Sequence, residues 1–197
     1  LVGLGWFNSS AWQPQTVYWS DQADPLTVPA DWDYADPAND AGQVTLASTS
    51  GYILDGLALR DGFVIYKEDA LHWMQHVGGK FIMDFREISS TTGMLAKRCA
   101  QEFYGQHFVF AGDDFLLHDG QTIKSLGSKR LRRSVFNSID STYYTKSYVV
   151  KNPVRHEMWA CFCEAGESAP PRAAVWIARD ATWCYRELPS PYYMGLG

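Results

Sequence analysis

The stretch Tyr52-Ile-Leu-Asp-Gly-Leu-Ala-Leu-Arg60, Asp61-Gly62, Phe63-Val-Ile-Tyr-Lys67, Glu68-Asp69, Leu71-His-Trp-Met-Gln-His-Val77, Gly78-Gly79 decides the fold class. It alternates short apolar runs with turn dipeptides. Asp-Gly between two apolar runs is the strongest local signal for a β-hairpin, because both residues tolerate the backbone angles a two-residue turn demands. The runs are too short for helices and rich in the aromatic and β-branched residues that fit a pleated surface. With Phe81–Ile88 added as a fourth run, the segment predicts a four-stranded antiparallel meander.

Moving outward, the pattern repeats. Strands are predicted over Lys97–Tyr104, His107–Ala111, Phe115–His118 and Gln121–Leu126, with turns at Gly105, Gly112-Asp113-Asp114 and Asp119-Gly120. Phe63–His72 can be laid over Phe108–Leu117, an offset of 108 − 63 = 45 residues. A weaker echo runs through Glu157–Phe162, Ala174–Ile177 and Asp180–Tyr185. Four strands per unit at a period of about 40–50 residues is the signature of propeller blades. The expected fold is therefore all-β: antiparallel four-stranded meanders in a β-propeller-like arrangement, a partial propeller of about three blades within a single domain over 1–197, with one short helix.

Two segments depart from the repeat. Residues 1–50 read as a loop-rich opening segment with one short strand at Val17–Ser20, because Asp, Pro and Gly crowd residues 21–42. Residues 128–140 read as a helical insertion, with Ser128 as its cap and Leu131, Val135, Phe136 and Ile139 on one face. Its first turns carry Lys129, Arg130, Arg132 and Arg133. Cations near a helix N-terminus oppose its dipole, so the cluster calls for another reason, such as an acidic partner surface. These four residues are the candidate interface.

The composition narrows the function. The formal charge is −5 and aromatic residues make up 15% of the chain. An acidic balance does not suit a specific nucleic-acid binder, which needs a basic surface, although an acidic wall lets DNA slide past without sticking. There is no apolar run long enough for a transmembrane helix. Leu1-Val-Gly-Leu-Gly-Trp6 lacks the basic leader and cleavage pattern of a signal peptide.

Catalytic and metal signatures are sparse. The acidic loop with Asp31, Asp33, Asp36 and Asp40 lacks the spacing of a calcium loop and reads as turn chemistry. His72, His76, His107, His118 and His156 read as single, half-buried histidines; on one strand His72 and His76 stand about 13 Å apart, too far for joint ligation. Cys99, Cys161, Cys163 and Cys184 form no CxxC pair and read as buried free thiols. Asp113, Asp114 and Asp119 are the carboxylates a hydrolase would use, but each sits in a predicted turn, and Asp180-Ala-Thr-Trp183 is only part of a sialidase-type Asp-box turn. No catalytic residue, cofactor or metal is expected. Trp32, Tyr34, Tyr192 and Tyr193 are aromatics that could stack on sugars.

Several motifs recur together: Tyr18-Trp-Ser-Asp-x-Ala-Asp-Pro25, Trp32-Asp33, Asp40-Ala-Gly42, Ile65-Tyr-Lys-Glu68, Trp73, Gly78-Gly79, Gly93-x-Leu-Ala96, Gly105-x-His-Phe-Val109, His118-Asp-Gly120, the Arg-rich helix with Phe136-Asn137 and Asp140, Glu157-x-Trp159, Ala174-Val-Trp176 and Trp183. This order, from about Val17 to Pro189, resembles the β-propeller tail proteins of bacteriophages, of which the tail nozzle (tail tubular) proteins of short-tailed phages are the best understood. The resemblance implies a non-enzymatic virion protein, assembled in the bacterial cytoplasm. It implies a homo-oligomeric ring, commonly a hexamer, that contacts portal, adaptor and other tail proteins and retains and then conducts DNA without specific binding. It implies no catalytic residues. The chain accounts for fewer units than a full nozzle protein, so a piece of a larger propeller is expected. A receptor- or glycan-binding module of a tail tip is the alternative.

Overall fold

A computed structural model describes residues 1–7, 9–24, 26–79 and 82–189. The fold is all-β. Four antiparallel sheets of three or four strands follow one another along the chain, with a single α-helix among the described residues.

The second sheet is the meander predicted from 52–88. It contains β4 (Ile53–Leu59), β5 (Gly62–Lys67), β6 (Leu71–His76) and β7 (Met83–Ser89), paired in sequence order. Phe81, where the last strand was predicted to begin, lies outside the described residues. The third sheet holds β8 (Ala100–Phe103), β9 (Gln106–Phe110), β10 (Phe115–His118) and β11 (Ile123–Ser125), again in order. The 45-residue offset thus relates the second and third strands of these two sheets.

Correction is needed at the N-terminal end. About three units were expected; four sheets are present. Residues 1–50 were read as loop-rich, yet they form a three-stranded sheet of β1 (Val2–Phe7), β2 (Trp12–Trp19) and β3 (Gly42–Thr45). Gly5 and Pro14 hid it. Gly5 has a φ of +59° at a register shift between Leu4 and Trp6. Pro14 lies opposite this bulge, where the ladder needs no N–H from it. The long connection over residues 20–41 then separates β2 from its partner β3. The fourth sheet holds β12 (Tyr148–Asn152), β13 (Glu157–Phe162), β14 (Arg172–Ile177) and β15 (Thr182–Glu187).

The sheets pack face to face in chain order, a propeller-like succession. Alternation along β5 shows why its sequence is continuously apolar. Phe63 and Ile65 join a cluster with Val17, Trp19 and Leu46 of the first sheet and its connector. Val64 and Tyr66 join the larger core shared with the third and fourth sheets. A strand covered on both faces has no polar side to show. Between the third and fourth sheets, Phe108 stacks on Trp176 at 5.9 Å, and Phe115 packs against Trp183 at 4.5 Å. Trp183 Nε1 donates to the Leu126 carbonyl at 3.1 Å, so its polar edge is satisfied.

The helix, α1, spans Lys129–Phe136. Ser128 caps it as predicted, its side chain accepting from Leu131 N–H at 3.2 Å. Leu131 and Val135 are buried in the main core with Phe136 against it. The helix is shorter than the 128–140 expected: Asn137 ends it, and Ile139 leaves the helical path to bridge Glu164. No helix is long and apolar enough to cross a membrane among the described residues.

Candidate functional site

Three features carry the chemistry: the basic helix, the carboxylates beside it, and a set of buried polar side chains between sheets.

The core fixes the orientation of α1. With Leu131 and Val135 turned inward, Lys129, Arg130 and Arg133 are exposed. Arg132 is different. It is half-buried, and its guanidinium donates to Asp114 Oδ2 at 3.3 Å. The structure therefore brings three of the four predicted cations to the surface and commits the fourth to the fold. Lys129, Arg132 and Arg133 line a shallow depression with Asp113, Phe136 and Asn137.

Asp114 is buried and fully engaged. Its Oδ1 accepts from Phe115 N–H at 2.8 Å and its Oδ2 accepts from Ser125 Oγ at 2.6 Å as well as from Arg132. Asp119 Oδ1 accepts from the backbone N–H of Gln121 and Thr122 and from the Thr122 hydroxyl. These bonds, the Thr122 and Gln121 amides above all, draw its pKa down to about 2. Asp119 holds its turn, and Asp114 ties β10, β11 and α1 together.

In the acidic loop, Asp31, Asp33 and Asp36 each accept from the backbone N–H two residues on, and Asp40 accepts from Gln22 Nε2 at 2.6 Å. This is the turn chemistry expected of short acidic side chains. The loop packs down through aromatics. Trp32 stacks on Tyr18 at 5.8 Å with a 7° interplanar angle, Tyr34 meets Tyr18 edge-on, and Tyr18 OH donates to the Trp32 carbonyl. One face of Trp32 is thus covered, while Tyr34 is 49% exposed. Tyr192 and Tyr193 lie outside the described residues. Exposed Phe7 and Trp12 of the first sheet escaped notice because their strands did.

The histidines overturn the expectation of single, half-buried side chains. His72, His107 and His118 are buried, and two of them meet. Tyr66 OH lies 2.7 Å from His107 Nδ1 and 2.9 Å from His118 Nε2. Each proton position follows from the ends of the chain. The Ala58 carbonyl can only accept, so His107 Nε2–H donates to it at 2.9 Å. The neutral ring then leaves His107 Nδ1 bare, and Tyr66 O–H donates to it. At the other end, Gly120 N–H donates to His118 Nδ1 at 3.3 Å. His118 Nε2 therefore carries hydrogen and donates to the Tyr66 oxygen. Every polar atom of the network is satisfied with both rings neutral. Burial pushes His118 down to about 4 and lowers His107 as well.

A second buried group ties the first two sheets together. Lys67 Nζ donates to the carbonyls of Leu46 and Thr49 and to Thr49 Oγ1 at 2.6–3.0 Å. Thr49 Oγ1 in turn lies 2.8 Å from His72 Nε2. Burial lowers the pKa of Lys67, and burial together with the Lys67 charge lowers that of His72. The cysteines are free; Cys99, Cys161 and Cys163 are buried, and burial raises the Cys161 thiol to about 12.

The buried network joins the second and third sheets, so it serves packing. The basic face of α1 is the feature that points outward. No protein-family model matches the chain, and no curated protein matches it.

Proposed function

We propose that the chain is a structural component of a bacteriophage tail, a nozzle-like ring protein that acts by docking and not by covalent chemistry. The observation that carries the reading is the exposed trio Lys129, Arg130 and Arg133 on a helix whose other face is locked into the core. A rigid basic face on a chain of net charge −5 is complementary to the acidic remainder of a neighbouring copy, or to an acidic tail protein. The commitment of Asp119 to its turn and of Asp114 to β11 and α1 supports a role without hydrolysis. In this reading the protein resides in the virion tail, forms a homo-oligomeric ring (a hexamer by the resemblance) against portal and adaptor, and lets DNA pass along an acidic wall.

Sedimentation velocity and negative-stain imaging test it. The wild-type chain is expected to form rings, and to be found in purified particles. Lys129→Glu, Arg130→Glu and Arg133→Glu combined are expected to leave the thermal midpoint within about 2 °C, because surface substitutions cost little, while abolishing the rings. A wild-type chain that stays monomeric and is missing from particles overturns the proposal.

One observation favours a second reading, a glycan-binding module of the tail tip. The exposed ring of Tyr34 stands beside the stacked Tyr18 and Trp32, a surface of the kind on which sugar faces stack. A glycan array without hits removes it.

A further inference from the structure

A cleft of about 390 Å3 opens where Leu54 of β4 and the β5–β6 turn meet the connectors leading into β8, β12 and β14. Such a volume falls within the range of small-ligand sites. Its wall combines an apolar part, Leu54, Leu95 and Pro170, with an excess of positive charge from Lys97, Arg98 and Lys146. The carboxylate in the lining, Glu68, is engaged: its Oε2 accepts from Tyr52 N–H at 2.9 Å. Lys97 and Lys146 therefore bring two ammonium groups to a lining in which the Glu68 carboxylate already accepts a backbone N–H.

Two further features single the cleft out. Ser147 lines it and is 2% exposed, and its Oγ is buried without a protein hydrogen-bond partner. A buried, unpaired hydroxyl is costly and rare. Arg98, at a φ of +65°, is the third residue of the tight turn that the Cys99 N–H closes onto the Ala96 carbonyl at 3.2 Å. Its backbone is held on both sides: its N–H donates to Asp55 Oδ2 at 2.9 Å and its carbonyl accepts from Val149 N–H at 2.8 Å. The turn that carries Lys97 into the cleft lining is thereby fixed. Lys146 is positioned too, its Nζ donating to the Ser168 carbonyl at 2.7 Å above the Tyr143 ring.

We propose that this cleft binds a small oxyanion, the carboxylate or phosphate group of a compact molecule, through Lys97, Lys146 and the Ser147 hydroxyl, with any short apolar portion against Leu54 and Pro170. Two ammonium groups and a buried hydroxyl meet in one lining, a donor set that suits an anion. The inference stands apart from the tail reading, since it uses neither α1 nor the ring.

Isothermal titration calorimetry on the full chain, at ionic strength held constant with chloride, tests it with inorganic phosphate in one arm and butyrate in the other. Saturable binding of at least one probe is expected; binding of phosphate alone assigns a phosphoryl ligand, and of butyrate alone a carboxylate. Lys97→Gln and Ser147→Ala are each expected to weaken binding about tenfold, the equivalent of one charge-assisted hydrogen bond. Both should keep the wild-type thermal midpoint, because Lys97 is exposed and Ser147→Ala deletes only an unpaired oxygen. Lys124→Gln, on the exposed β11, should bind as the wild type does. Failure of both probes to saturate, or equal weakening by all three variants, overturns the proposal.

Discussion

Tyr66 is a single side chain on which two sheets depend. Its hydroxyl donates to His107 Nδ1 and accepts from His118 Nε2–H, and all three side chains are buried. Tyr66→Phe keeps the ring and its packing but leaves His118 Nε2–H without an acceptor and His107 Nδ1 without a donor. The expected loss is about 2–4 kcal/mol by urea unfolding, since each stranded buried polar group costs about 1–3 kcal/mol. A loss below about 0.5 kcal/mol would show that the network does not hold the sheets. The same residues predict a pH dependence. The folded His118 titrates near 4 and its unfolded counterpart near about 6.5, so between those values the unfolded chain binds the extra proton. Stability is then full above about pH 6.5 and falls as pH drops towards 4, with about 2 kcal/mol gone by pH 5 at 1.36 kcal/mol per unit. His107 and His72 add to the loss in the same direction. Depressed carboxylates such as Asp119 act only in more acid solution, so unfolding at pH 7 and pH 5 isolates the histidines. Replacement of His118 by Gln should flatten that slope.

At the scale of elements, α1 and the β10–β11 hairpin are joined through Asp114. Asp114→Ala removes the acceptor for Phe115 N–H, Ser125 Oγ and Arg132 at once, and is expected to cost about 2–3 kcal/mol in thermal or urea unfolding. Arg132→Gln removes only a half-exposed partner and should cost under about 1 kcal/mol. Equal costs would mean that the ion pair, and not the hairpin bonds, is what matters. What could be read from sequence follows the range of the forces involved. Strands joined by tight turns, such as β4–β5 and β9–β10, were legible because turn chemistry is local, although the first turn falls at Arg60-Asp61, one residue before the Asp61-Gly62 expected, with Gly62 already paired to Leu59. The capping Ser128 and the inward Leu131 and Val135 were legible for the same reason, and with them the outward Lys129, Arg130 and Arg133. β1 and β3 were not, since Gly5 and Pro14 read as breakers until a bulge absorbs them, and residues 20–41 hide the pairing of Gly42–Thr45 with β2. The Tyr66 network was beyond reach as well. Its members are 41 and 52 residues apart and meet only because the second and third sheets pack face to face. The cleft residues Lys97, Lys146 and Ser147 converge for the same non-local reason.

Over the whole molecule the sheets are unequally supported. The second, third and fourth share one continuous core, from Tyr66 and Trp73 through Phe108 and Phe110 to Met158 and Phe162. The first sheet is joined to the second by a smaller cluster around Val17, Trp19, Ile65 and Met74, and by the Lys67 tie to Leu46 and Thr49. Opening free energy scales with the apolar surface and the buried bonds that an opening exposes. The first sheet should therefore open alone, below the global free energy, while β5, β9 and β13 open only with the whole. Native-state hydrogen exchange read by mass spectrometry distinguishes the two. Peptides covering β1–β3 are expected to exchange before those covering β9 and β13, at every urea concentration below the global transition. Val17→Ala should speed exchange in β1–β3 and leave β9 and β13 unchanged, because its side chain contributes only to the smaller cluster. Phe108→Ala, in the shared core, should speed β5, β9 and β13 together, at a cost of about 3–5 kcal/mol. Uniform acceleration by Val17→Ala would instead mean that the four sheets form one cooperative unit, in which the Lys67 tie couples the first sheet as tightly as the aromatic core couples the rest.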